Sequence, residues 1–76
     1  QLHSDDNLNN VTTTGLYYWA YSPSNTPNGE VNSHMLVIGS TLDVKQIIFY
    51  ATSSASHISI RIGRDGSWNN WRTIQE

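Results

Sequence analysis

From Ser56 to Glu76 the chain reads SHISIRIGRDGSWNNWRTIQE, and within it Ile58, Ile60 and Ile62 alternate strictly with Ser59 and Arg61. Side chains leave a β-strand on opposite sides in turn, so an apolar residue at every second position marks a strand with one face in a core and one in water. Read this way, the isoleucines face the core, and Ser59 and Arg61 face solvent. Asp65-Gly66 then supplies a hairpin, since Gly66 takes the positive φ of a tight β-connection at no steric cost. Trp68-Asn69-Asn70-Trp71 follows directly and carries two of the three tryptophans. Positions three apart lie on opposite faces of a regular strand, so these indoles are expected to divide between core and outward surface.

The rest of the chain repeats the extended pattern. Gln1 to Asn10 is polar apart from Leu2 and Leu8, so residues 1–11 read as a linker or leader, with Leu8 and Val11 able to pin its end. Residues 12–76 form the β domain. Thr12 to Thr14, broken by Gly15, lead into Leu16-Tyr17-Tyr18-Trp19-Ala20-Tyr21, a strand bulky on both faces. Something besides its own core should cover it, and a neighbouring subunit would serve. Ser22 to Ser33, with two prolines and Asn28-Gly29, is a loop. His34 to Gly39 is a short apolar strand, and Leu42 to Ala51 is a further strand, mixed on both faces. The expected fold is therefore all-β, a small antiparallel sheet of about five strands.

Size decides what such a sheet needs. A domain of 76 residues buries only about 60% of its unfolded surface and commonly leans on disulfides, a metal or oligomerisation. There is no cysteine, and His3, His34 and His57 show no zinc-ligand spacing, which leaves oligomerisation. Net charge −2, without a cluster of Lys or Arg, excludes a binder of nucleic-acid backbone. The longest apolar run, Met35 to Ile38, is far below the about 20 residues that cross a bilayer, so a soluble chain without membrane insertion is expected. Starting at Gln1 without an initiator methionine, it is expected to be a piece of a longer polypeptide.

Ser56 and His57 are adjacent and point to opposite faces, so they cannot form a nucleophile–base pair. The carboxylates fall almost wholly in loops and ends. No enzymatic activity, cofactor or metal is expected. His34 and His57 open strands and read as polar surface positions. The groups suited to binding are aromatic: Trp68, Trp71, Trp19 and Tyr21 could stack on a sugar ring, with Asn69, Asn70 and Arg72 reading hydroxyls. With one phenylalanine and few leucines, the same tryptophans are also the natural core of the domain. Both readings stand.

The order of these features resembles the pyocin knob family, the knob-type module of phage tail fibres and R-type pyocin fibres. The similarity runs from about Leu8 to Ile74. It is carried by Leu8-Asn9, Thr12-Thr13, Gly15-Leu16-Tyr17-Tyr18, Asn25-Thr26-Pro27, Leu36-Val37-Ile38, Val44-Lys45-Gln46-Ile47, Ile60-Arg61-Ile62 and Gly66-Ser67-Trp68-Asn69-Asn70-Trp71-Arg72. The ending Thr73-Ile74-Gln75-Glu76 departs from the family pattern of an acidic residue followed by leucine, and reads as linker. The resemblance implies a homotrimeric knob in a virion tail fibre, outside the cell, partnered by other parts of the fibre and by a bacterial cell-surface glycan. A carbohydrate-binding module appended to a depolymerase or lytic enzyme is the alternative, and a structural spacer along a fibre shaft is a third reading.

Overall fold

The structure, a computed structural model, describes residues 1–75. It is nearly all β: β1 (Gly15–Trp19), β2 (Ser33–Gly39), β3 (Val44–Ala51), β4 (Ser56–Arg64), β5 (Ser67–Trp68) and β6 (Arg72–Gln75), after one 3-10 turn at Leu8–Asn10. All strands pair antiparallel in one sheet, in the order β1-β2-β3-β4, with β5 and β6 both on the far edge of β4. The expected five-strand antiparallel sheet is thus present, its fifth strand interrupted. Residues 73–75, read above as linker, belong to it: Ile74 pairs with Ile58, and the Thr73 and Ser59 hydroxyls lie 2.8 Å apart. Asp65 and Gly66 both take positive φ, as a two-residue type I′ hairpin between Arg64 and Ser67 requires.

The alternation is as expected, but the inside and outside are exchanged. Ser59 is buried and Arg61 is 7% exposed, whereas Ile58 and Ile62 are exposed. The buried face, here called the inner face, also carries Tyr17 and Trp19 of β1, Met35 and Val37 of β2, and Gln46 and Ile48 of β3. It is covered by the chain's own irregular segments. Residues 1–14 cross it with Leu2, Leu8 and Val11, and residues 20–32 close the other end with Pro23 and Glu30. The leader is therefore part of the packed layer: Leu8 is fully buried in the cluster with Trp19, Met35, Val37 and Ile48. Two isolated bridges, Leu2 to Trp19 and Asn7 to Ser24, tie both segments down.

Thr12 to Thr14 do not extend β1. They pass the end of β2 instead, where Gly39 N–H donates to Thr14 Oγ1 at 2.9 Å and Gly39 leaves no room for a side chain beside Thr12 O. Among the described residues no segment covers the outer face. Its rows run Leu16–Leu36–Ile47–Ile60 and Tyr18–His34–Phe49–Ile58–Ile74, flanked by Ile38 and Ile62. Leu16 is 68% and Ile74 66% exposed.

Candidate functional site

The two neighbouring tryptophans do not divide between faces. Gly63 pairs with Trp68, but Ile60 pairs with Arg72, so three residues, Asn69 to Trp71, span the place of two on β4. This is a one-residue bulge, and an extra residue reverses the alternation beyond it. Asn69 N–H still reaches Ile62 O at 2.9 Å. Both indoles consequently lie on the inner face, half-buried, and both meet the Arg61 guanidinium, whose carbon is 4.1 Å from the Trp68 ring centroid and 4.5 Å from that of Trp71. Each contact is of cation–π type. Trp68 can lie this low because its partner is Gly63, where a Cβ would sit 2.7 Å from Trp68 Cε3. Trp71 is fixed by its indole N–H, which donates to Asn25 O at 2.9 Å from a left-handed turn (φ 71°) that asparagine tolerates.

Beneath the indoles runs a polar chain. Arg61 Nε donates to Gln46 Oε1 at 2.8 Å, and Arg61 Nη2 donates to Asn9 Oδ1 at 3.0 Å. Gln46, fully buried, uses its amide nitrogen on Leu8 O at 2.7 Å and Val11 O at 2.9 Å, so the N-terminal segment, β3, β4 and the tryptophans form one network. Among the described residues no carboxylate lies within ion-pair distance of Arg61. Burial alone pulls its pKa down to about 10, which leaves it a cation at neutral pH.

A second buried polar cluster lies at the other end of the inner face. His57 Nε2 and Glu30 Oε2 are 2.8 Å apart, and the His57 ring stacks on Tyr50 with centroids 4.8 Å apart. His57 is therefore not the surface position expected of it. Burial pushes the Glu30 carboxyl up, but hydrogen bonds from His57, its own backbone and Asn28 outweigh this and hold it below its ordinary value. No three His, Cys, Asp or Glu side chains gather as a metal site among the described residues.

The candidate glycan residues separate into three groups. Trp68, Asn69, Asn70 and Trp71 line one open cleft of about 420 Å³ together with Arg61, Asn9 and Asn25. Arg72 comes next in β6, paired with Ile60 of the outer face, and borders only a shallower hollow beside them. Trp19 and Tyr21 are elsewhere. Trp19, 1% exposed, donates its indole N–H to Glu30 O at 2.9 Å and is a core residue, so it leaves the candidate set; Tyr21 is exposed beyond the end of β1. Arg61, Asn9, Asn25 and Gln46 were not expected at a site. Their signal in the sequence is faint: Arg61 is the one charged residue between the isoleucines of its strand, and the pattern alone sends it to water.

Comparison with known proteins finds no matching family model, no similar curated protein and no similar solved structure.

Proposed function

We propose that the chain is a non-enzymatic attachment module of a phage or phage-like tail fibre, assembling as a homotrimer through the outer face of its sheet and presenting the opposite face to a bacterial surface glycan. The uncovered apolar face carries this reading. Five strands about 4.8 Å apart, carrying three side-chain rows over about 20 Å of their length, make a surface of about 500 Å² in flat projection. That is at the upper end of the patches that monomers expose, and patches of this kind are commonly interaction sites.

Threefold packing suits its dimensions. Three such faces, each about 24 Å wide, enclose a triangle whose sides lie about 7 Å from the axis, against about 5 Å for half the spacing of two packed sheets. Closure would place Leu16, Leu36, Ile47, Phe49, Ile58 and Ile60 of every subunit in one shared interior and hide the apolar surface of all three at once. Lys45 and Arg72 stand at the margin, where charge belongs in an interface.

Sedimentation equilibrium at micromolar concentration tests the assembly. The expected result is a trimer for the native chain and a folded monomer for Ile47→Glu and Phe49→Glu, which place charge on the apolar face. A native chain that is folded and monomeric under these conditions overturns the proposal.

A further inference from the structure

Arg61 has donors that no group among the described residues takes. A guanidinium carries five N–H groups, of which Gln46 and Asn9 take one each, leaving both on Nη1 and one on Nη2. Among the described residues no sealed side-chain nitrogen or oxygen lacks a partner, so Nη1, which has none, is not sealed from solvent, and the open cleft is the hollow that Arg61 lines. The arrangement is a fixed cation at the floor of a cleft. Gln46 and Asn9 hold the fork in place, Trp68 and Trp71 both lie against it, and among the described residues no acid neutralises it. Were Arg61 only a brace for the tryptophans and the N-terminal segment, its Nε and Nη2 bonds would suffice, and its charge would have been buried without an anion to pair it. Around the rim, Asn69 and Asn70 are exposed and their side chains make no hydrogen bond among the described residues.

We propose that this cleft binds an oxyanion carried by a saccharide, gripped end-on by the unspent Nη donors of Arg61 while the sugar ring rests against the tryptophans and Asn69 and Asn70 take its hydroxyls. The proposal rests on the attachment reading and deepens it by naming the ligand class. Two neighbouring N–H groups of a guanidinium match two oxygens of a carboxylate or a phosphate, so a uronic-acid sugar and a sugar phosphate share the required chemistry. A neutral sugar cannot satisfy the cation. Aromatic faces together with a few placed polar groups are what small-ligand sites ordinarily supply.

The test is a titration of the full chain with methyl glucuronide, glucose 1-phosphate and methyl glucoside, followed by the Arg61 Nε–H and tryptophan indole N–H resonances. Both charged sugars are expected to shift the Arg61 and Trp71 signals, with methyl glucoside at least about tenfold weaker. Whichever charged sugar binds more tightly identifies the source of the oxyanion. Arg61→Lys keeps the charge but loses the fork, and Asn70→Asp sets a repelling carboxylate at an exposed rim position. Each is expected to weaken the charged probes about tenfold. Because Asn70 is exposed, its variant keeps the test decisive even where Arg61→Lys fails to fold. Equal binding of neutral and charged sugars, or no shift at Arg61, overturns the site. A parallel pulldown on bacterial cells separates the two readings: cell binding that charged sugars do not compete away overturns the oxyanion site and leaves attachment standing. Charged-sugar binding at Arg61 without cell binding supports the site and overturns attachment.

Discussion

Gln46→Leu removes the centre of the inner-face network while keeping a similar volume. Three hydrogen bonds disappear, two to Leu8 O and Val11 O and one from the Arg61 cation. None of the groups left behind gains a substitute, because leucine has neither donor nor acceptor and the site is buried. Neutral bonds of this kind are worth about 1 kcal/mol each and a bond to a charged group about 1.5–3 kcal/mol, with stranded partners adding to the loss. Leucine returns part of this through apolar burial. A net destabilisation of about 3–5 kcal/mol follows, set against about 4–11 kcal/mol for a domain of this length. Urea denaturation at one fixed protein concentration, which holds any assembly contribution constant, measures it. With a slope of about 1 kcal/mol per M, the midpoint should fall by several M, enough to leave much of the variant unfolded in buffer. A loss below about 1 kcal/mol would show that water satisfies these groups as well as Gln46 does, and the reasoning about the network would fail.

Acid should weaken the other end of the inner face. The Glu30 carboxyl is held below its ordinary value, so its contribution is fully present above the unfolded value of about 4.3 and is lost as pH falls through the lower folded value. The stability difference between native chain and Glu30→Gln should therefore shrink below about pH 4.3, and curves that stay parallel from pH 6 to pH 3 would refute this. Gly39→Ala sets a Cβ 2.5 Å from the backbone oxygen of Thr12, which cannot swing away; a loss of about 1–3 kcal/mol by thermal denaturation is expected, and a neutral result would show that the Thr12–Thr14 crossing is loose. Gly63→Ala meets the Trp68 ring instead, so tryptophan fluorescence should change as that indole lifts off Arg61, and an unchanged spectrum would contradict the stacking.

The strands were legible because extended segments with turn residues between them leave a local signal: the Asp65-Gly66 hairpin, the loop of residues 22–32 and the parity within β1 and β3 all follow from neighbouring residues. Which parity faces inward is a different matter. Ile58, Ile60 and Ile62 announce an apolar face, and the natural inference puts that face in the core of the chain. The choice is made instead by what lies on top: Leu8 and Val11 meet Gln46, and Glu30 meets His57, only through contacts distant in sequence. Trp68 and Trp71 show the same limit from another side. Their spacing implies opposite faces in any regular strand, and a single bulged residue, for which Asn69-Asn70 gives no distinctive pattern, turns both to one side and creates the cleft.

That exchange of faces explains why one strand can serve two ends. Along β4 the alternating residues serve different surfaces: Ile58, Ile60 and Ile62 point to the outer face, while Ser59 and Arg61 point inward to Thr73, Gln46 and the tryptophans. A slip of one residue would carry Arg61 into the apolar face and an isoleucine into the polar network, so the sheet cannot tolerate it. The register is therefore pinned from both sides, by the two-residue Asp65–Gly66 turn at one end of β4 and by the Ser59–Thr73 and Arg61–Gln46 bonds along it. The bulge then operates on the partner strand alone, shifting Trp71 to the Arg61 side without disturbing the isoleucines. Substitutions on the outer face should accordingly change assembly and spare the cleft, and substitutions in the cleft should do the reverse, because the two surfaces share strand backbones but no side chain.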